Sequence, residues 1–102
     1  MPRPYSREFE VSAVKLVSEQ GYSIGDLDGA EAMHRKALEI DHRLGHLEGM
    51  AAAYGNLGNV LRSRSDPTGA RGMWTKSRDL YAKLGNKQMV DRVQGWIDKL
   101  PP

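Results

Sequence analysis

The sequence predicts an all-α protein built from antiparallel helix-turn-helix repeats. Two observations predict this class. The chain aligns with itself at a shift of 40 residues, and its apolar residues recur at spacings of three and four, which is typical of one face of an α-helix. No segment alternates polar and apolar residues with a period of two over the length of a strand, so no sheet is expected.

The internal repeat is the stronger of the two observations. When residues 26–62 are placed against residues 66–102, eight pairs are identical, where composition alone would give roughly two or three. The identities include Ala30 with Ala70, Met33 with Met73, and Leu44-Gly45 with Leu84-Gly85. The same shift carries Val14 onto Tyr54 and Val17 onto Leu57, so a weaker third copy is expected at the N-terminus.

The apolar spacing predicts five helices. The first runs from Ser6 to about Gln20, with Phe9, Ala13, Val14 and Val17 directed inward. The later helices carry these apolar stripes: Ala30, Met33, Ala37, Ile40 and Leu44; then Leu47, Met50, Tyr54, Leu57 and Leu61; then Ala70, Met73, Ser77, Leu80 and Leu84; and last Val90, Val93, Ile97 and Leu100.

Turn and capping residues separate these helices. Gly21 and Gly25 are expected to bracket a turn, after which Asp26 or Asp28 caps the second helix. The remaining stops and starts are Gly45, then Asp66 as an N-cap with Pro67 at the first helical position, then Gly85-Asn86, and finally Pro101-Pro102. We therefore expect an N-terminal tail at 1–5 and a single domain at 6–100, made of a first helix and turn at 6–24 and two repeat copies at 25–64 and 65–100.

Residues 25–100 resemble the tetratricopeptide repeat in its longer, 40-residue bacterial form. The family's first-helix pattern resembles Tyr54, Leu57-Gly58 and Leu61, and its second-helix pattern resembles Ala70, Trp74 and Ser77. In the preceding copy His34 stands in place of the aromatic residue. The resemblance implies a short right-handed solenoid that binds proteins, with Gly58, Ala30 and Ala70 at close helix crossings.

The first 24 residues resemble a different family. Residues 3–9, 13–17 and 21–24 are similar to the start of the small helix-turn-helix subunit of insertion-sequence transposases. The resemblance stops at Ile24, before that family's recognition helix. The chain is therefore interpreted as a chimera in which a transposase-like helix replaces the first helix of a repeat.

Composition and motifs exclude several function classes. The chain has 15 basic and 13 acidic residues and no cysteine, which excludes thiolate metal sites and gives no concentrated basic face for nucleic acid. No phosphate loop, nucleophile elbow or zinc-protease motif is present, so no catalytic residue and no cofactor is expected. His42 and His46 have metal-ligand spacing, but Gly45 is expected to break the helix between them. No membrane span or signal peptide is predicted, and a cytoplasmic protein is the default expectation.

The strongest functional pattern is Asn56, Asn59 and Arg62, which share the polar side of the third helix. The resemblance implies that this side lines a concave groove in which an Asn can bond the backbone of an extended peptide. We therefore predict a scaffold that binds a peptide or helix of another protein. Leu16 and Trp96 occupy the matching positions of the first and last helices and interrupt an asparagine ladder.

Two alternatives to this function remain open. A stack of two and a half repeats lacks full end caps, and Leu16 and Trp96 are large apolar residues off the buried stripes. These features predict that the chain is a structural chimera without an evolved ligand and that it self-associates as a dimer. The exception is a Trp96 side chain that folds over its own groove, which would give a monomer. The other alternative is a relic DNA binder, in which Arg3, Arg7 and Lys15 contact phosphates weakly and without sequence specificity.

Overall fold

The computed structural model describes residues 24–101, which form four α-helices. They are α1 (Ile24–Leu44), α2 (Leu47–Ser63), α3 (Pro67–Lys83) and α4 (Lys87–Asp98). No strand occurs within this range, so the all-α class is confirmed for the part of the chain that the structure describes. The helix predicted from Ser6 to Gln20, the tail at 1–5 and Leu16 lie outside the described residues.

Each helix packs against the next one in the chain, in antiparallel fashion. Between α2 and α3, Ser77 contacts Ala51 and Trp74 contacts Gly55. Trp74 precedes Ser77 on α3 whereas Gly55 follows Ala51 on α2, so the two helices run in opposite directions. Connections of two or three residues join the helices, and such short connections force consecutive helices to run in opposite directions. The helix-turn-helix arrangement follows from these contacts.

The predicted boundaries around α2, α3 and α4 are largely confirmed. The Asp66 carboxylate accepts a hydrogen bond from the Gly69 amide at 2.9 Å, and Pro67 occupies the first helical position. Gly45 and Gly85 have φ angles of 73° and 75°, the left-handed conformation that glycine adopts without strain after a helix. Asn86 has a further role as the N-cap of α4, since its side chain accepts from the Met89 amide.

Two predicted helix ends are wrong. Helix α1 begins at Ile24, so Gly25, Asp26 and Asp28 lie inside the helix and cannot form the turn and cap that were expected. The Asp28 carboxylate instead forms an ion pair with Arg64, a partner 36 residues away. At the other end, α4 stops at Asp98 and not at the prolines. Pro101 restricts the residue before it to extended conformations, so the helix ends earlier.

The core lies where α3 packs between α2 and α4. Its fully buried side chains include Ala51, Ala70, Trp74 and Val93. Ala70 has no exposed surface, as expected for a residue at a close helix crossing. No helix within residues 24–101 combines the length and apolar character needed to cross a bilayer.

The apolar stripe predicted for α1 is only partly buried. Leu27, Ala30 and His34 are the buried residues of this helix, and the first two cluster with Val60 of α2. Met33, Ile40 and Leu44 are 45%, 44% and 61% exposed, although the stripe placed them inward. The reason is geometric: the small Ala30 allows α2 to approach closely, and the contact line follows positions 27, 30 and 34.

Candidate protein-binding groove

A groove of about 610 Å³ opens between α2 and α4, with α3 beneath it. Its size lies within the range of sites that bind small ligands. One wall is α2, which contributes Ala52, Gly55, Asn56, Asn59 and Arg62. The other wall is α4, which contributes Met89, Arg92, Val93 and Trp96, and the floor is formed by Ser77 and Tyr81 of α3. We call this set of residues, together with Ala51, the groove.

The floor of the groove is fixed to α2 by two buried hydrogen bonds. The Trp74 indole Nε1 donates to the Gly55 carbonyl oxygen at 2.9 Å, and the Ser77 hydroxyl donates to the Ala51 carbonyl oxygen at 2.7 Å. Trp74 also lies directly on Gly58, where any β-carbon would collide with its ring. This contact explains why the chain has glycine at position 58. The close approach of α2 and α3 gives the groove a rigid base.

All three residues predicted for the binding face line the groove. Arg62 is exposed and Asn56 is half-buried, but Asn59 is only 2% exposed. Both asparagines already interact with other groups of the chain. Asn56 is therefore better placed than Asn59 to offer its amide to a ligand, and removal of Asn59 will disturb a packed position.

Aromatic contacts join Arg62 and Trp96 to the floor. The Arg62 guanidinium lies 5.8 Å from the centroid of the Trp74 ring, a cation–π distance. The Trp96 ring lies 5.6 Å from Trp74, tilted by 46°. Trp96 thus packs against its own chain and forms part of the groove wall, which is the alternative that the sequence left open. Self-association through Trp96 and Leu16 stays a prediction.

Sequence reasoning missed Arg92 and Tyr81. On the last helix Trp96 was matched to the binding face, yet Arg92 lines the groove as well. The 40-residue shift places Arg92 on Ala52, a groove residue, and this was the signal that could have identified it. Tyr81 is 7% exposed, and burial raises the pKa of its hydroxyl, with a smaller contribution from the Glu48 carboxylate.

The histidines lie outside the groove. His34 is buried at the position where the other repeat has Trp74, and burial lowers the pKa of its imidazole. Gly45 separates His42 from His46, and His46 Nδ1 lies 3.5 Å from an Asp41 carboxylate oxygen. Within the described part of the chain, no group of three or more metal-binding side chains is found.

Comparison with known proteins identifies one repeat of the chain. Residues 50–84 match the family model of the tetratricopeptide repeat. The match covers about a third of the chain, from the first turn of α2 to the end of α3, and includes the Gly58–Trp74 contact. Residues 50–84 are therefore similar to one tetratricopeptide repeat, and the match supports the prediction of helical repeats of this kind.

No curated protein and no solved structure gives a significant match to the chain. The resemblance of the N-terminal segment to transposase subunits receives no support from the comparisons.

Proposed function

We propose that this chain is a protein-interaction module that binds a peptide or a helix of a partner protein in the groove between α2 and α4. The observation that carries the proposal is the groove itself, in which polar side chains stand above a floor of buried tyrosine and serine. Such a surface offers a ligand both hydrogen-bonding groups and apolar contact without a large rearrangement of the protein.

Within this groove, Asn56 is the residue that we expect to bond the ligand backbone. An amide side chain has both donors and an acceptor, so it can pair with the N–H and the C=O of one extended peptide unit. Arg62 is the charged contact further along the same helix, about 9 Å along its axis from Asn56. Asn59 lies between them and supports the wall from beneath.

The test uses random twelve-residue peptides displayed on phage and selected on the purified chain. The selected peptide is then measured against two variants that carry the same change at exposed alanines. Ala52→Trp fills the groove, whereas Ala82→Trp adds the same ring on α3 outside it. We expect Ala52→Trp to abolish binding and Ala82→Trp to leave it intact. Equal binding by both variants would place the interaction elsewhere and refute the proposal.

Asn56→Ala gives a finer measurement of the same site. Loss of neutral hydrogen bonds to the ligand should weaken affinity by roughly two- to tenfold. Asn59→Ala serves as the comparison, because the removal of a buried polar side chain that has partners should mainly lower the stability of the fold. An Asn56→Ala variant with full affinity would show that the ligand backbone is bound by other groups.

Self-association is a second candidate function, favoured by apolar residues that α1 and the start of α2 expose. Ile40, Leu44 and Leu47 are 44%, 61% and 39% exposed, and neighbouring apolar residues of this kind often mark interaction surfaces. Light scattering across the micromolar range measures the mass of the parent, of Leu44→Glu and of Trp96→Glu. A dimer that Leu44→Glu dissociates would support this candidate. A parent that is monomeric throughout would end it.

A further inference from the structure

The arginines divide into two groups by what they contact. Within residues 24–101 there are seven, and four of them pair with carboxylates: Arg35 with Glu31, Arg43 with Glu39, Arg64 with Asp28 and Glu31, and Arg78 with Asp79. Arg71 donates to the Pro101 carbonyl oxygen. The remaining two, Arg62 and Arg92, have no carboxylate partner among the described residues, and both line the groove.

Among the residues that the structure describes, none gives the groove a negative charge. No aspartate or glutamate of the described residues lines it, although the whole chain is nearly balanced at 15 basic and 13 acidic residues. The contact of Arg62 with the Trp74 ring supplies no acceptor oxygen for its N–H donors. The groove therefore holds two positive charges that a bound ligand can neutralise.

The two arginines lie at opposite ends of the groove. Helices α2 and α4 run in the same direction, and Gly55 faces Trp96, whose ring lies 3.9 Å from where a β-carbon on Gly55 would be. Continuing this pairing one turn back along both helices sets Arg92 near Ala51 and Ala52, about ten positions before Arg62. At 1.5 Å per helical residue, the two arginines are about 15 Å apart along the groove.

An extended peptide matches this spacing. It advances about 3.3 Å per residue, so 15 Å corresponds to roughly four or five residues. The long arginine side chains widen this range by about one residue in either direction. Between the two arginines, the peptide would pass Asn56 on one wall and Trp96 on the other.

We propose that the groove selects an acidic, extended peptide in which two carboxylates lie about three to six residues apart, one bound by Arg62 and the other by Arg92. This inference rests on the proposed function and specifies its partner. Planar guanidinium groups bind carboxylates through two parallel hydrogen bonds, so each arginine recognises one acidic side chain. Asn56 bonds the peptide backbone between them.

The peptide selection described above tests this inference directly at about 150 mM salt. We expect the selected pool to be enriched in pairs of Asp or Glu at the stated spacing. A synthetic peptide of the commonest sequence, blocked at both ends, should bind at least about tenfold more weakly to Arg62→Gln and to Arg92→Gln. Arg43→Gln is the matched control, since it removes the same charge from an exposed position on α1.

The assignment of each acid is tested with a double-mutant cycle. When one peptide glutamate is replaced by glutamine, the affinity should become insensitive to one arginine variant and remain sensitive to the other. Arg62→Lys, which keeps the charge beside Trp74 but loses the paired hydrogen bonds, should also weaken binding. If a thermal melt shows that Arg62→Gln is unstable, Arg62→Lys is used in its place to test the role of this arginine.

Three results would overturn the inference: a pool without acidic pairs, an affinity unchanged by both groove variants, or an equal loss with Arg43→Gln. If Ala52→Trp still abolishes binding in those cases, the proposed function stands and only the acidic specificity is refuted. If Ala52→Trp leaves binding intact, the proposed function fails as well. A selection that enriches no peptide contradicts both.

Discussion

Replacement of Gly58 by alanine should destabilise the fold, although alanine is the better helix former. A β-carbon at position 58 would overlap the pyrrole edge of the Trp74 ring. That ring has no exposed surface, and its Nε1 is hydrogen-bonded to the Gly55 carbonyl oxygen at 2.9 Å, so it has nowhere to move. Overpacking of this kind destabilises by about 1–3 kcal/mol, and a displaced indole also loses a hydrogen bond worth about 1 kcal/mol.

Alanine offsets part of this loss, because it is favoured over glycine in a helix by about 1 kcal/mol. The net decrease in the free energy of unfolding is thus about 2 kcal/mol, or a melting temperature lower by roughly 8–16 °C for a domain of this size. Urea denaturation followed by circular dichroism measures the former, and a thermal scan measures the latter.

The matched control is the same substitution at Gly72, an exposed position inside α3 where a β-carbon would meet nothing within 4 Å. Gly72→Ala should raise the free energy of unfolding by about 0.5–1 kcal/mol. The two variants should therefore move in opposite directions. Equal stabilisation by Gly58→Ala and Gly72→Ala would show that Trp74 does not pack on Gly58, and the description of the groove floor would be wrong.

The remaining predictions concern pH, capping and nucleic acid. Burial lowers the pKa of His34 in the folded state, so the unfolded state binds the proton more readily. The contribution of His34 to the free energy of unfolding should therefore be fully present above its unfolded-state pKa of about 6.5, and should be lost as the pH falls below that value. His34→Phe should flatten this pH dependence in thermal melts, while the same change at exposed His42 should not. Asp66→Ala should lower the free energy of unfolding by about 1 kcal/mol, because the Gly69 amide loses its cap; a melt indistinguishable from the parent would contradict this. A mobility-shift titration at about 150 mM salt should show at most weak DNA retention that fades with added salt, and tight binding to one sequence would overturn that expectation.

The parts of the fold that were predictable from sequence are those set by local chemistry. Asp66-Pro67 begins a helix because the carboxylate caps a free amide and proline needs no amide partner at the first position. Gly45 and Gly85 end helices because they adopt a left-handed backbone conformation. The resemblance to the tetratricopeptide repeat added the expectation of a close crossing at Gly58, and the structure shows Trp74 packed on this glycine.

The parts that could not be predicted depend on contacts between distant residues. Asp26 aligns with Asp66, so the sequence suggested a cap at the same place in both repeats, but α1 starts before Asp26. Asp28 pairs with Arg64 across 36 residues, and no periodicity reports such a contact. The exposure of Ile40 has the same origin, because the face that α1 buries is decided by where α2 packs.

The candidate site shows the same division. Helical periodicity was sufficient to place Asn56, Asn59 and Arg62 on one side of α2. It did not distinguish the half-buried Asn56 from the buried Asn59, since that difference depends on the position of neighbouring helices. Nor did it identify Arg92 or Tyr81, which join the groove only because α3 and α4 pack beside α2.

Arg62 connects the stability of this fold to its proposed binding. Its guanidinium covers Trp74, which itself contacts Gly58, Gly55 and Trp96, so one side chain of the groove rests on the group that joins three helices. A ligand that orders Arg62 therefore acts on a contact that also holds α2, α3 and α4 together. A ligand that binds only the folded state stabilises it by mass action. Among the described residues no ring contact joins Arg92 to the core, so the two arginines contribute differently to the stability of the free protein. Removal of Arg92 should weaken ligand binding alone, whereas removal of Arg62 should weaken binding and lower the melting temperature of the free chain.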